Sequence, residues 1–88
     1  MPRFVFSARF KKSARDFLKR HPELRKIFEE RLELLRQNPK DSKLRVHKLS
    51  GKLSEYFAVR ITFEYRVIFY FSEGAIYLLA IGSHDEVY

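Results

Sequence analysis

Cysteine is absent from these 88 residues. That excludes disulfides and thiolate metal centres and leaves stability to packing alone. Long apolar runs are absent too. The longest, Val67 to Phe71, has the length of one strand, so neither a signal peptide nor a membrane span of about 18 residues is expected. No glycine-rich phosphate loop and no nucleophile elbow occurs. No repeat, low-complexity segment or linker divides the chain. Carboxylates are the minority charge, with 11 Asp and Glu against 18 Lys and Arg, a formal +7 and a pI near 9.9. A lack of disulfides is compatible with the cytoplasm, where the chain is expected to act.

What is present is aromatic bulk and positive charge. Nine Phe and five Tyr supply large core side chains to a chain short enough to form one domain, residues 1–88. Charge of this sign on so small a domain favours phosphate-rich or acidic partners.

The apolar pattern changes period along the chain. Arg3 to Phe6 alternates like a short strand, with Phe4 and Phe6 on one face. Ser7 is suited to cap a helix over Ala8 to Arg20, where Phe10, Ala14, Phe17 and Leu18 fall at helical spacing and Lys11, Lys12, Arg15, Lys19 and Arg20 take the other side. His21-Pro22 breaks this helix, and Pro22 starts a second whose stripe is Leu24, Ile27, Phe28, Leu32 and Leu35. Asn38-Pro39 ends it. His21 reads as a solvated turn residue without a role. Four more strands follow: Leu44 to Leu49, Tyr56 to Thr62, Tyr65 to Phe71, and Ala75 to Ile81, the last apolar enough to be central. Ser72-Glu73-Gly74 is a turn, and residues 84–88 are a polar tail. The expected fold class is α+β, with two N-terminal helices packed on one face of a four- to five-stranded, mainly antiparallel sheet.

Such a sheet keeps one face free. Alternation over Tyr56 to Thr62 places Val59, Ile61 and Phe63 on one side and Ala58, Arg60, Thr62 and Glu64 on the other. His47, Arg60 and Arg66 can gather on the free face with His84 of the tail. A lone histidine on a half-buried strand is commonly just hydrogen-bonded. Two imidazoles, two guanidiniums and a carboxylate together suit phosphodiester chemistry. Guanidinium forks match phosphate oxygens, and imidazole moves protons near neutrality. In RNA the ribose 2′-OH can attack the adjacent phosphorus, a base taking its proton and an acid protonating the leaving 5′-oxygen. A zinc site made of His21, His47 and His84 is not favoured by their spacing. No metal or cofactor is expected.

Three segments carry a resemblance. HKLSGKL, FAVRITFEYRVIFYF and LLAIGSHDEVY are similar to the RelE superfamily of toxins from type II toxin–antitoxin modules, nearest its YafQ-like and YoeB-like groups. The likeness extends over nearly the whole chain in length and element order. It implies the RelE-like, microbial RNase fold. It implies a metal-independent endoribonuclease that cleaves mRNA, often on the 70S ribosome, and is neutralised by a cognate antitoxin. By motif position it implies a catalytic set of His47, Arg60, Glu64, Arg66, His84 and Tyr88. Among these, Arg66 contacts the scissile phosphate, His84 is the general acid, and either His47 or Glu64 is the base. RelE's lysine pair is not reproduced, since Phe57 and Val59 stand there. Two other readings compete: a ParE-like toxin that binds DNA gyrase without cutting RNA, and a basic RNA-binding module without catalysis. A tail that supplies both His84 and Tyr88 favours the nuclease.

Overall fold

The computed structural model describes residues 2–51 and 55–83. Strand β1 (Arg3–Phe6) leads into helix α1 (Ala8–Arg20), a single 3₁₀ turn (Pro22–Leu24) and helix α2 (Arg25–Gln37). A second 3₁₀ turn (Ser42–Leu44) precedes β2 (His47–Lys48), β3 (Phe57–Arg60), β4 (Tyr65–Ser72) and β5 (Ala75–Ser83). The five strands form one sheet in the order β1-β5-β4-β3-β2, so β5 and β4 are interior. β1 pairs with β5 in parallel, and the other pairings are antiparallel. The fold is α+β, as expected.

Both helices lie on one sheet face because each has a single apolar stripe. Phe10, Ala14 and Phe17 of α1 and Phe28, Leu32 and Leu35 of α2 are buried against Val59, Ile61, Val67, Phe69, Ile76, Leu78 and Ile81. Burying side chains of this size contributes about 1.5–3 kcal/mol each. Between β4 and β5 the hairpin turns on Glu73 (φ 50°) and Gly74 (φ 77°). Two successive positive φ values match the turn twist that two-residue hairpins require.

The α1 hydroxyls hold β5 in place. Ile68 pairs with Ala80 but Phe69 pairs with Leu78, so Leu79 is an extra, bulged residue. β1 ends at this level, leaving backbone groups of β5 without a strand partner. Ser7 caps α1 by accepting from the Phe10 N–H at 2.9 Å and donates its own proton to the Leu79 carbonyl at 2.8 Å. Ser13 accepts from the Ile81 N–H at 3.1 Å. Two serines thus satisfy the backbone on either side of the bulge, where an unpaired group would cost about 1–3 kcal/mol.

Two expectations from the pattern fail. Leu44 to Leu49 is not one strand. Asp41 accepts from the Lys43 N–H at 2.9 Å and caps a 3₁₀ turn. Leu44 then inserts fully into the core, and Arg45 takes a left-handed φ of 49° that stops the run; only His47 and Lys48 pair. His21 is not a solvated turn residue either. Its side chain is 28% exposed. Nε2 lies 2.9 Å from the Tyr65 hydroxyl, and the ring packs on Phe17 and Tyr65. The break after α1 points this side chain back toward the sheet, where the phenol gives it a partner.

Candidate nucleic-acid site on the open sheet face

Strand alternation fixes which residues share the face away from the helices. Val59, Val67 and Ile81 form one cross-strand row within the core. The next row, Arg60, Arg66 and Gly82, therefore projects to the opposite side. Arg60 and Arg66 are directly paired, so their Cβ atoms start about 5 Å apart. Gly82, itself buried, presents no side chain beside Arg66. His47 pairs with Ala58, two residues before Arg60 on the same side. This sets His47 roughly 7 Å along the sheet from the arginine row.

Two like charges directly opposed across a ladder are destabilising. Here no carboxylate relieves them: Arg60 and Arg66 form no ion pair with a described residue. Arg60 carries a further cost. Its Nε is buried and lacks a hydrogen-bond partner among the described residues. Its guanidinium carbon lies 5.5 Å from the centre of the Phe63 ring, within cation–π range. A buried donor without an acceptor, beside a second cation, is the arrangement an anion would complete.

His47 is exposed, and its Nδ1 lies 3.1 Å from the Arg45 carbonyl oxygen. A carbonyl can only accept, so Nδ1 carries the proton in this contact. In the neutral ring Nε2 is then the lone-pair nitrogen, the form able to take up a proton.

Glu64 stands at the tip of the β3–β4 hairpin. β3 ends at Arg60, and residues 61–64 form the hairpin tip. The Thr62 hydroxyl holds the tip by accepting from the backbone N–H of Glu64 and Tyr65 at 3.3 and 3.2 Å. Alternation stops with the ladder. Glu64 is accordingly exposed and makes no ion pair to either arginine. Phe63, expected on the side of Val59 and Ile61, is instead 83% exposed. The structure thus brings His47, Arg60 and Arg66 to one face and adds Phe63 to their rim, a residue that alternation sets on the side of Val59 and Ile61 and whose position near the hairpin tip is legible in the sequence. A bulky aromatic one residue from a hairpin tip was the available signal. His84 and Tyr88 lie outside the described residues. Among those described, no group of three or more His, Asp or Glu is arranged to hold a metal ion, and no helix is long and apolar enough to cross a membrane.

Comparisons with known proteins agree with this architecture. The model of the family described as the bacterial toxin of type II toxin–antitoxin systems, YafQ, matches residues 3–88. Among solved structures, a copper-bound mutant toxin from Helicobacter pylori superposes with a TM-score of 0.86 at 22% identity, each chain covered over 100% of its length. YafQ in the Escherichia coli DinJ–YafQ complex gives 0.84 at 17% identity, covering 100% of this chain and 99% of that one. The YoeB dimer of Staphylococcus aureus gives 0.78 at 20% identity over 94% and 97% of the two chains. At these identities the structural likeness speaks for the fold. The comparison with curated protein sequences gives no match.

Proposed function

The chain belongs to the YafQ family of toxins from type II toxin–antitoxin systems, and from that premise we propose that it is an endoribonuclease that cuts mRNA on its open sheet face. The observation that carries this reading is the Arg60–Arg66 pair, two arginines directly opposed in the ladder, one with a buried Nε that lacks an acceptor among the described residues. A phosphodiester supplies the missing negative charge and oxygens. Negative charge on the non-bridging oxygens grows as the phosphorane forms, so the same two cations bind the transition state more strongly than the ground state.

In the proposed reaction the ribose 2′-oxygen attacks the adjacent phosphorus while His47 Nε2 takes its proton. The bond from phosphorus to the 5′-oxygen breaks, and that oxygen receives a proton from His84. The products are a 2′,3′-cyclic phosphate and a free 5′-hydroxyl. The nucleophile belongs to the substrate, so the step asks for no metal-bound water. His47 is preferred to Glu64 as base because it stands on the strand next to Ala58, on the face of the two arginines, whereas Glu64 stands at the hairpin tip. His84 is proposed as the acid on its motif position and its place in the chain, directly after Ser83, the last residue of β5. Tyr88 is kept in the set on the resemblance of the tail. We further propose that the site of action is the cytoplasm, on mRNA engaged by the ribosome. The proposed regulator is an antitoxin bound as DinJ is in the toxin–antitoxin complex it forms with YafQ.

The test is to supply the purified chain with mRNA, free and on programmed ribosomes, and to map the new ends. Fragments with 5′-hydroxyl ends, absent with His47→Gln and Arg66→Ala, are the expected result. Growth arrest with intact mRNA and inhibited DNA gyrase would replace the nuclease with a gyrase-binding toxin.

A further inference from the structure

We propose that Phe63 is a base-stacking platform. One nucleobase of the RNA strand lies on its ring while Arg60 and Arg66 hold the neighbouring phosphate. The inference rests on the nuclease reading above and names a contact which that reading does not require.

Phe63 is by far the most exposed large apolar side chain described, at 83%, against 47% for Phe71 and 44% for Phe6. Beyond its contact with Arg60, leaving such a ring in water gains the fold nothing. The backbone there is well ordered by its own bonds. The Ile61 and Thr62 N–H groups donate to the Tyr65 carbonyl at 2.9 and 3.3 Å, and the Thr62 hydroxyl closes the tip. The ring is thus presented from a pinned hairpin. It makes no contact with another aromatic ring among the described residues. What does lie against it is the Arg60 guanidinium, at 5.5 Å, from the residue whose buried Nε has no acceptor among the described residues.

This juxtaposition fits single-stranded RNA. In such a strand each phosphate is followed by an unstacked base with an apolar face, and proteins read it with cations for the backbone and aromatic rings for the bases. A guanidinium already stacked on one part of the ring also orients that cation toward the phosphate beside the stacked base. A protein partner could bury Phe63 as well, but the ring's contact with a cation that shares its face with Arg66 and His47 favours nucleic acid.

The chain contains no tryptophan, so Phe63→Trp creates a single indole at the proposed platform. The probe is a short single-stranded oligoribonucleotide, 2′-O-methylated throughout so that it cannot be cleaved. The control polyanion is inorganic polyphosphate, which has charge and no bases. The oligonucleotide is expected to quench the indole emission and saturate at the concentration at which anisotropy reports binding; polyphosphate should bind without quenching. Phe63→Ala should weaken oligonucleotide binding by about 5- to 100-fold, leave polyphosphate binding unchanged and melt only a few degrees below the wild type, the loss expected for the cation–π contact with Arg60. Phe63→Tyr should bind like the wild type. Oligonucleotide binding and cleavage unchanged in Phe63→Ala would overturn the platform and leave the nuclease standing. Loss of antitoxin binding with RNA binding intact would assign the ring to a protein interface and equally overturn it. Failure of the wild-type chain to bind or cut RNA at all would remove both proposals together.

Discussion

Replacing Arg60 with methionine should make the protein more stable and less active at once. In the folded state Arg60 keeps a buried Nε with no acceptor among the described residues, worth about 1–3 kcal/mol of unfavourable desolvation. It also stands opposite Arg66, and a directly opposed like-charge pair costs about 0.2–1 kcal/mol. Against these stands the cation–π contact with Phe63, about 0.5–1 kcal/mol at an exposed ring. Arg60→Met keeps an unbranched apolar stem of similar reach and removes all three effects. The net expectation is a gain of about 1 kcal/mol, which in a domain of this size raises the melting temperature by about 4–8 °C. The assay is thermal and urea unfolding of the wild type and variant at low and high salt, with cleavage of a model mRNA measured in parallel. Cleavage should fall by about 10²-fold or more, as for loss of a group that stabilises developing charge. The wild type, but not the variant, should gain most of the missing stability when polyphosphate is added, because an anion that binds only the folded form shifts the equilibrium by mass action. If Arg60→Met melts several degrees below the wild type, the guanidinium is structurally satisfied and the argument for an anion site on this face fails.

Other outcomes follow from the same geometry. His47→Gln should reduce cleavage by about 10²–10⁴-fold, the range for a lost general base, with unchanged RNA affinity; full activity would return the role to Glu64. His84→Ala should bring a loss of similar size in single-turnover cleavage of mRNA on ribosomes, and its retention of activity would remove His84 from the proposed mechanism. Arg66→Ala should relieve growth arrest and lower the slope of log affinity for single-stranded RNA against log salt by about 0.7, one phosphate contact; an unchanged slope counts against Arg66 as a phosphate ligand. Ser13→Ala should destabilise the domain by about 1–3 kcal/mol by leaving the Ile81 N–H unpaired. Wild-type urea resistance in that variant would mean that water or a shifted backbone satisfies the bulge.

Local periodicity made much of this architecture legible. Phe10, Ala14 and Phe17, and Phe28, Leu32 and Leu35, mark the buried stripes of both helices because helical spacing repeats within a few residues. Ser7 was readable as a cap, and Glu73-Gly74 as a turn, for the same reason: each effect is decided by its nearest neighbours. Alternation also put Arg60 with Ala58 and against Val59, as observed. It misled wherever the ladder stops. Phe63 and Glu64 lie past the last paired residue of β3, and nothing there imposes a period of two. Leu44 was read as a strand residue because its alternation with Val46 is genuine, yet the Asp41 cap and the left-handed Arg45 bend the chain between core and edge. His21 showed no sign of its partner, since Tyr65 lies 44 residues away.

The chain's own order of residues determined the two amphipathic helices, the strand-forming segments, the excess of cations and the presence of imidazole and guanidinium groups in motifs shared with a toxin superfamily. Tertiary structure alone decided that β1 lies parallel to β5, that a bulge at Leu79 is held by the α1 cap Ser7 and by Ser13, and that Arg60 faces Arg66 with no ion pair to a described carboxylate. The division has a physical cause. Helix stripes and turns are set by interactions within a few residues, whereas register between strands is chosen by the whole core at once, and it is register that turns separate cations into a site.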